Sequence, residues 1–428
     1  MIRDIIWETS SFRVEVSNNA NKINPTFPRG DAAMRVYICR PSTKFRKLNG
    51  RDPDSGRTAS RHRLTPPESI TVAAIDLSAL RSNARVLSAA AKPASLMAII
   101  KANAYGHGAV AIARALSEEG IDFFAVATVA EAWELRNAGI NERILVLASP
   151  LPEQYAYYEP LGLEMTVARV DTLRYVLEQH RGGINLPFHI KLDTGMTRLG
   201  LSAEEFQEAA VELRSSGAAI AGIWTHLASA DDPSDSLTAV QIERFSAAVR
   251  ESGLSPRETH VMNTGALTAG VGIKPVGERV RVGISLFGAT GFPSIVDGRI
   301  RPVMTFRTRI VQVRTVDAGT GVSYGHRWHA PRATRIATVG AGYADGYPRV
   351  LVQNAKVGVG SRLCPIAGTV CMDMFMVDLG PDATEQPGDP IVLFGSGGPT
   401  VDEAARWAGT IPYELLCRVG RRVPRVYG

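Results

Sequence analysis

The stretch Ile99-Ile100-Lys101-Ala102-Asn103-Ala104-Tyr105-Gly106-His107-Gly108 decides the fold of this chain. It closes an apolar run, Leu96-Met97-Ala98-Ile99-Ile100, short and flat enough for a buried strand. Lys101 stands where that strand must stop. Gly106 and Gly108 follow, and from Ala109 to Glu119 the apolar spacing is helical. A strand, a lysine at its carboxyl end, a glycine-rich turn and a helix make one βα unit. A lysine so placed can form an imine with an aldehyde cofactor. Most strand-end lysines are merely solvated, so the rest of the chain has to decide.

Outward from this unit the same rhythm repeats. Strand-like runs lie at Leu96–Ile100, Phe123–Ala127, Ile144–Leu147 and Glu164–Val167, then at Phe188–Leu192, Gly222–His226, His260–Met262 and Val280–Leu286. Helical spacing separates most of them, as over Ala130–Ala138 and Ala203–Ser215. Eight βα repeats between about residues 69 and 300 predict a parallel (β/α)8 TIM-type barrel. A doubly wound open sheet is the competitor, and no GxGxxG fingerprint supports it. Before the barrel, Ile70–Leu77 alternates as a strand, and Ser78 is the expected cap of a helix running to Ala91.

After Arg301 the pattern changes. Short strand-like runs at Val303–Val316, Arg335–Val339, Ala355–Val359, Cys364–Ile366, Phe375–Asp378 and Ile391–Phe394 alternate with Gly, Pro and Asp turns. Residues 301–428 therefore read as a mainly β C-terminal domain. Residues 1–68 are different again: polar, arginine-rich and weakly periodic, they read as a disordered extension with no secretory apolar core. It is either a basic targeting tail or the product of an upstream start, with Met34 one alternative first residue.

Composition narrows the function classes. Among 428 residues, 45% are hydrophobic and 21% charged, as in ordinary soluble domains. No apolar run approaches the roughly 20 residues that span a bilayer. Net charge is +6, yet residues 1–70 hold thirteen basic and seven acidic residues, and the remainder has 35 of each. The basic excess thus belongs to the extension, and neither nucleic acid nor membrane is an expected partner of the body. Four cysteines, Cys39, Cys364, Cys371 and Cys417, lack metal-ligand spacing and fit a reducing, cytoplasmic setting.

A barrel gathers chemistry at the carboxyl ends of its strands. Lys101 closes the first. Lys191 and Asp193 share a face at the fifth, and Arg198 lies in the following DTGMTRLG turn. His226 ends the sixth, Asn263 and Thr264 follow the seventh, and Arg281 sits in the eighth within Val280-Arg281-Val282-Gly283-Ile284. The loops after strands seven and eight are where barrels commonly bind phosphate, so the Thr264 hydroxyl and the Gly283 and Ile284 amides are candidate donors.

Lys-Ala-Asn-Ala-Tyr-Gly-His-Gly strongly resembles the pyridoxal-phosphate lysine signature of the alanine racemase family, and separated motifs extend the resemblance over about residues 70–428. They include VRVGI (280–284), GVSYG (321–325), GYADGY (342–347), CMD (371–373) and IPYELLCRVGRRVPR (411–425). The resemblance implies a racemase that interconverts L- and D-alanine through a pyridoxal 5'-phosphate aldimine and supplies D-alanine for peptidoglycan. It implies that Lys101 carries the cofactor and that Tyr105 and Tyr413 join Thr264 at the phosphate. Arg281 would face the pyridine nitrogen; being permanently charged, it keeps that nitrogen unprotonated and limits side reactions. Racemisation needs a base on each face of Cα, and Tyr324 is the implied second base, activated through His226 and Arg281. Arg198 and the Met372 amide would bind the substrate carboxylate, with Asp373 in support and Tyr343 at the entrance. Lys191 matches a family lysine that is often carbamylated and then holds Arg198. The first strand, about 70–76, is expected to join the C-terminal domain. Active sites are expected to be composite, shared across a homodimer. A broad-specificity racemase or a same-fold amino-acid decarboxylase is the alternative.

Overall fold

Eight strands with almost no water-facing positions form the centre of the computed structural model. They are β1 (Ser95–Ile99), β2 (Phe123–Val126), β3 (Arg143–Val146), β4 (Glu164–Val167), β5 (Phe188–Lys191), β6 (Gly222–Trp224), β7 (Glu258–His260) and β8 (Arg279–Val282). β2, β4, β5 and β6 are buried at every position, the mark of strands covered on both faces in a parallel sheet. Every adjacent pair is parallel, in the order β7-β6-β5-β4-β3-β2-β1-β8. Between β7 and β8 a parallel bridge, Asn263 to Arg281, closes the ring, with Arg281 N–H donating to the Met262 carbonyl at 3.0 Å. The structure describes residues 7–9, 12–14, 68–269, 276–292, 294, 296, 298–352 and 354–428.

The second sheet is antiparallel. Its order is Arg362–Pro365, Lys356–Val359, Pro390–Phe394, Met304–Val316, Thr334–Val339 and Phe375–Gly380. In its longest strand Met304, Phe306, Thr308 and Ile310 are buried in alternation, so one face packs on the core and the other stays polar. Val72–Ile75 pairs antiparallel with Met304–Arg307 and parallel with Arg425–Tyr427, so the chain enters through the second sheet before it builds the barrel.

Several local expectations need correction. The helix Leu77–Ala91 is capped by Asp76, whose Oδ1 accepts the Ala79 N–H at 2.8 Å; Ser78 already lies inside the first turn. The expected strand over Val280–Leu286 ends at Val282, because Ile284–Phe287 turns into a 3₁₀ segment. The C-terminal domain also carries two helices, Val401–Ala408 and Pro412–Arg418. Residues 1–65 and 66–428 form separate units. In the first, Trp7–Thr9 pairs antiparallel with Phe12–Val14. The rest of the expected extension, with Met34, lies outside the described residues. Among the described residues no helix is long and apolar enough to cross a membrane.

The cap assignment is testable. Asp76→Ala should lower stability to urea unfolding by about 1 kcal/mol, the usual worth of an N-cap, whereas Ser78→Ala should be nearly neutral.

Candidate active site

Lys101 is positioned by an unusual turn. Ala102, Asn103, Ala104 and Tyr105 all have positive φ, at 52°, 55°, 51° and 52°. Four successive left-handed L-residues each cost roughly 1–2 kcal/mol, so the surroundings must impose the conformation. They do so with hydrogen bonds. Ala104 N–H donates to the Ile100 carbonyl at 2.8 Å, and Gly108 N–H to that of Asn103 at 2.9 Å. The Glu131 carboxylate accepts from Ala102 N–H at 2.6 Å, and its other oxygen from Ala127 N–H at 2.8 Å. Gly108 then turns with φ 97°, where a Cβ would lie 1.9 Å from the Tyr427 hydroxyl. The glycine-rich turn of the sequence reading is therefore mostly a left-handed turn made by non-glycine residues.

The strand ends open on one cavity of about 530 Å3, in the usual range for a small-ligand site. Its wall includes Lys101, Lys191, Arg198 and Arg281, and among the described residues the one carboxylate on that wall is Asp231. Burial, then the charge of Arg198, holds the Lys101 amine below its ordinary range. Burial, Arg281 and Arg198 bring Lys191 down to about 7. The Lys191 ammonium sits 4.2 Å from the centre of the Trp224 ring, and the Arg281 guanidinium 4.9 Å from it, so one indole faces two cations.

Arg281 is held by backbone. Its Nη2 donates to the Thr225 carbonyl at 2.7 Å and to that of Val261 at 3.1 Å, and its Nη1 donates to the His260 carbonyl. His226 Nδ1 lies 3.3 Å from Nη2 and accepts from it, since a guanidinium only donates. Burial and the Arg281 charge drive His226 down to about 2, so it is neutral. Burial also lowers Arg281 to about 9, which leaves it charged at neutral pH.

Another part of the wall carries hydroxyls and bare backbone. Tyr105, Thr264, Gly283, Ile284 and Tyr413 meet there. The rings of Tyr105 and Tyr413 are 5.9 Å apart, and burial raises both phenols, Tyr413 to about 12, so both stay protonated donors. A Cβ at Gly283 would lie 2.4 Å from the Tyr105 hydroxyl, so only glycine lets that hydroxyl in. The Gly283 amide donates to Thr264 Oγ1 at 3.0 Å and is therefore engaged within the protein. Asn263 caps the short helix that begins at Thr264. After β5, Asp193 Oδ1 accepts from Gly195, Met196 and Thr197 N–H groups at 2.9, 3.0 and 3.1 Å, which shapes the loop carrying Arg198.

Tyr324, Tyr343, Met372 and Asp373 are elsewhere. None lines the cavity of its own chain. They share an exposed face of the second domain: Thr369 Oγ1 donates to the Tyr324 carbonyl at 3.2 Å, and Tyr343 N–H to that of Cys371 at 3.1 Å. Tyr324 is 69% exposed and Met372 53%, large apolar surfaces for one patch. Arg422 bridges Asp373 at 2.8 Å and Asp345 at 2.7 Å. The expected chain from Tyr324 through His226 to Arg281 is thus not made within one chain.

A parallel barrel whose strand ends open on a cavity rich in basic side chains, with a lysine just after β1, defines the class: a (β/α)8-barrel protein with its candidate site at the carboxyl ends of the strands. Residues 75–291 match the family model for the N-terminal domain of alanine racemase, and residues 303–427 match that for its C-terminal domain. A Chlorobaculum tepidum alanine racemase is 41% identical over 83% of this chain and 95% of its own. One from Thermobifida fusca is 38% identical over 84% and 98%. The alanine racemase of D-cycloserine-producing Streptomyces lavendulae superposes with a TM-score of 0.78 at 36% identity, over 85% of this chain and 98% of its own. The biosynthetic alanine racemase of Pseudomonas aeruginosa gives 0.77 at 36%, over 84% and 100%. The chain belongs to the alanine racemase family.

Lys191 makes a sharp prediction. Its folded pKa, about 7, lies below the unfolded value near 10.5, so between those values the unfolded chain binds more protons and stability rises with pH. Below about pH 7 the full cost of a buried charge remains. In carbonate-free buffer Lys191→Met should therefore raise the urea midpoint at pH 7 and flatten its rise towards pH 10.

Proposed function

We propose that this chain interconverts L- and D-alanine with pyridoxal 5'-phosphate, using Lys101 and Tyr324 as its two bases, and so supplies D-alanine for peptidoglycan. One observation carries the reading: a cavity with four cations and a single carboxylate, two phenols and a threonine hydroxyl, around a lysine that burial drives towards the neutral amine. A dianionic phosphate and an amino-acid carboxylate are what such a wall lacks. When bound, the cofactor supplies an electron-withdrawing group that takes up the charge left at Cα.

The chain's own residues do the rest. Tyr105, Tyr413, Thr264 and Ile284 hold the phosphate end, and the bare backbone at Gly283 makes the room. Lys101, which burial holds towards its neutral amine, would be the group that takes up the cofactor's aldehyde. Arg281 faces the ring nitrogen; it can only donate, and its three carbonyl partners fix it in that role. Arg198 binds the substrate carboxylate. Lys191, which burial lowers to about 7 so that much of it is neutral near that pH, is suited to take up carbon dioxide, and the resulting carbamate would pair with Arg198.

Proton transfer at Cα requires one base on each face. The Lys101 amine serves the face from which the D enantiomer loses its proton. Tyr324 serves the other and comes from a partner subunit, together with Tyr343, Met372 and Asp373. Support for this is the exposure of those four residues on one patch, away from their own cavity. A free phenol titrates near 10. Beside the partner's barrel mouth, Tyr324 would gain the cationic neighbours that an active phenolate needs. An isologous dimer repeats the arrangement twice.

Purified protein with pyridoxal phosphate should convert L-alanine to the racemate by chiral chromatography, without carbon dioxide release, and Lys101→Ala should abolish this. Mixing inactive Lys101→Ala and Tyr324→Phe subunits should restore roughly a quarter of wild-type rate, since random exchange makes half the dimers mixed, each with one intact site. Subunit exchange without recovery would place both bases in one chain.

A further inference from the structure

Behind the cavity the barrel interior carries a column of polar side chains that the mouth chemistry does not use. Arg281 Nη1 lies 3.1 Å from His260 Nδ1, and His260 Nε2 lies 2.9 Å from His189 Nδ1. His189 Nε2 then meets Glu164 Oε2 at 2.6 Å. Below it, Arg143 contacts Glu164 at 2.6 Å and Glu258 at 2.9 Å, and Arg279 contacts Glu258 at 3.0 Å. Both histidines are fully buried, and His189, His260 and Glu164 lie outside the cavity wall. The column crosses from β8 to β7, β5 and β4, so no stretch of sequence contains it.

Its two ends dictate its direction. A guanidinium only donates and a carboxylate only accepts, whereas a neutral imidazole does one of each. Arg281 N–H therefore donates to His260 Nδ1, His260 Nε2–H to His189 Nδ1, and His189 Nε2–H to Glu164. Protonating or flipping the tautomer of either ring would set two N–H groups face to face. Burial above all holds His260 well below the ordinary imidazole range, which agrees with a neutral ring.

We propose that Glu164 and His189 are positioning residues for Arg281: the carboxylate fixes the tautomers of two rings in series, so that His260 presents a lone pair to the guanidinium and locks its orientation. The lock acts across the barrel, from the end remote from substrate. Its kinetic consequence rests on Arg281 facing the cofactor ring, as read above; its tautomer assignment does not.

The test is nitrogen NMR on full-length holoenzyme labelled with 15N-histidine, with the His189 and His260 rings picked out among the eight histidines through His189→Gln. Both rings should be protonated at Nε2 only. In Glu164→Gln the amide can donate as well as accept, so an Nδ1–H form should appear. In that variant, and in His189→Gln, kcat should fall about tenfold, the scale on which outer hydrogen-bond partners act, with KM for alanine unchanged. Should Glu164→Gln fail to fold, the wild-type spectrum and His189→Gln still decide. A wild-type ring protonated at Nδ1, or a folded variant with wild-type kcat, overturns the proposal. Wild-type protein that shows the expected tautomers but does not racemise alanine would instead overturn the functional reading.

Discussion

Convergence of like charge is the constraint on which this structure depends. Parallel strands that all end on one rim bring Lys101, Lys191, Arg198 and Arg281 to a single cavity with one carboxylate. Like charges at such separations repel strongly where water is scarce. The fold tolerates them through neutral donors of electron density: three carbonyls and two imidazoles on Arg281, and the Trp224 face between Arg281 and Lys191. What remains uncompensated is a site for anions. On the proposed function, phosphate, carboxylate and a lysine carbamate would be three answers to the same deficit.

A second constraint places the nucleophile. The left-handed turn after β1 is unfavourable in itself, and Glu131 holds it by accepting from Ala102 while capping its own helix at Ala127 and Thr128. One carboxylate thus ties the lysine turn to the second βα unit. Arg425, near the end of the chain, donates to the Gly106 carbonyl at 2.8 Å and braces the same turn from the second domain. The turn that carries Lys101 is thus braced both from the second βα unit and from the last strand of the chain.

Much of this is written in the sequence in physical terms. Strands buried on both faces read as continuous apolar runs, which is why the barrel repeats stand out. Polar residues that interrupt those runs at their carboxyl ends, Lys101, Lys191, His226 and Arg281, mark the mouth. The failures are local or non-local for definite reasons. Asp76 and Ser78 are both good caps, and only backbone geometry chooses between them. Ile284–Phe287 is as apolar as a strand, but Gly283 turns the chain into a 3₁₀ segment. Left-handed alanines carry no sequence signal at all. The Arg281–His260–His189–Glu164 column joins residues up to 117 positions apart in numbering on four strands, and only closure of the barrel makes them neighbours. In a single chain Tyr324 sits on an exposed patch of the second domain, away from the cavity of its own barrel.

The proposed racemisation requires two separate bases acting on opposite faces of Cα. The direct measurement is the fate of the Cα hydrogen. L-alanine deuterated at Cα should be converted in ordinary water at low extent, and the D-alanine formed analysed by mass. If one group removes the deuteron and another delivers the new proton, the product carries solvent hydrogen and no retained deuterium. Substantial deuterium in D-alanine would mean that a single base collects and returns the same atom, and would contradict the pairing of Lys101 with Tyr324.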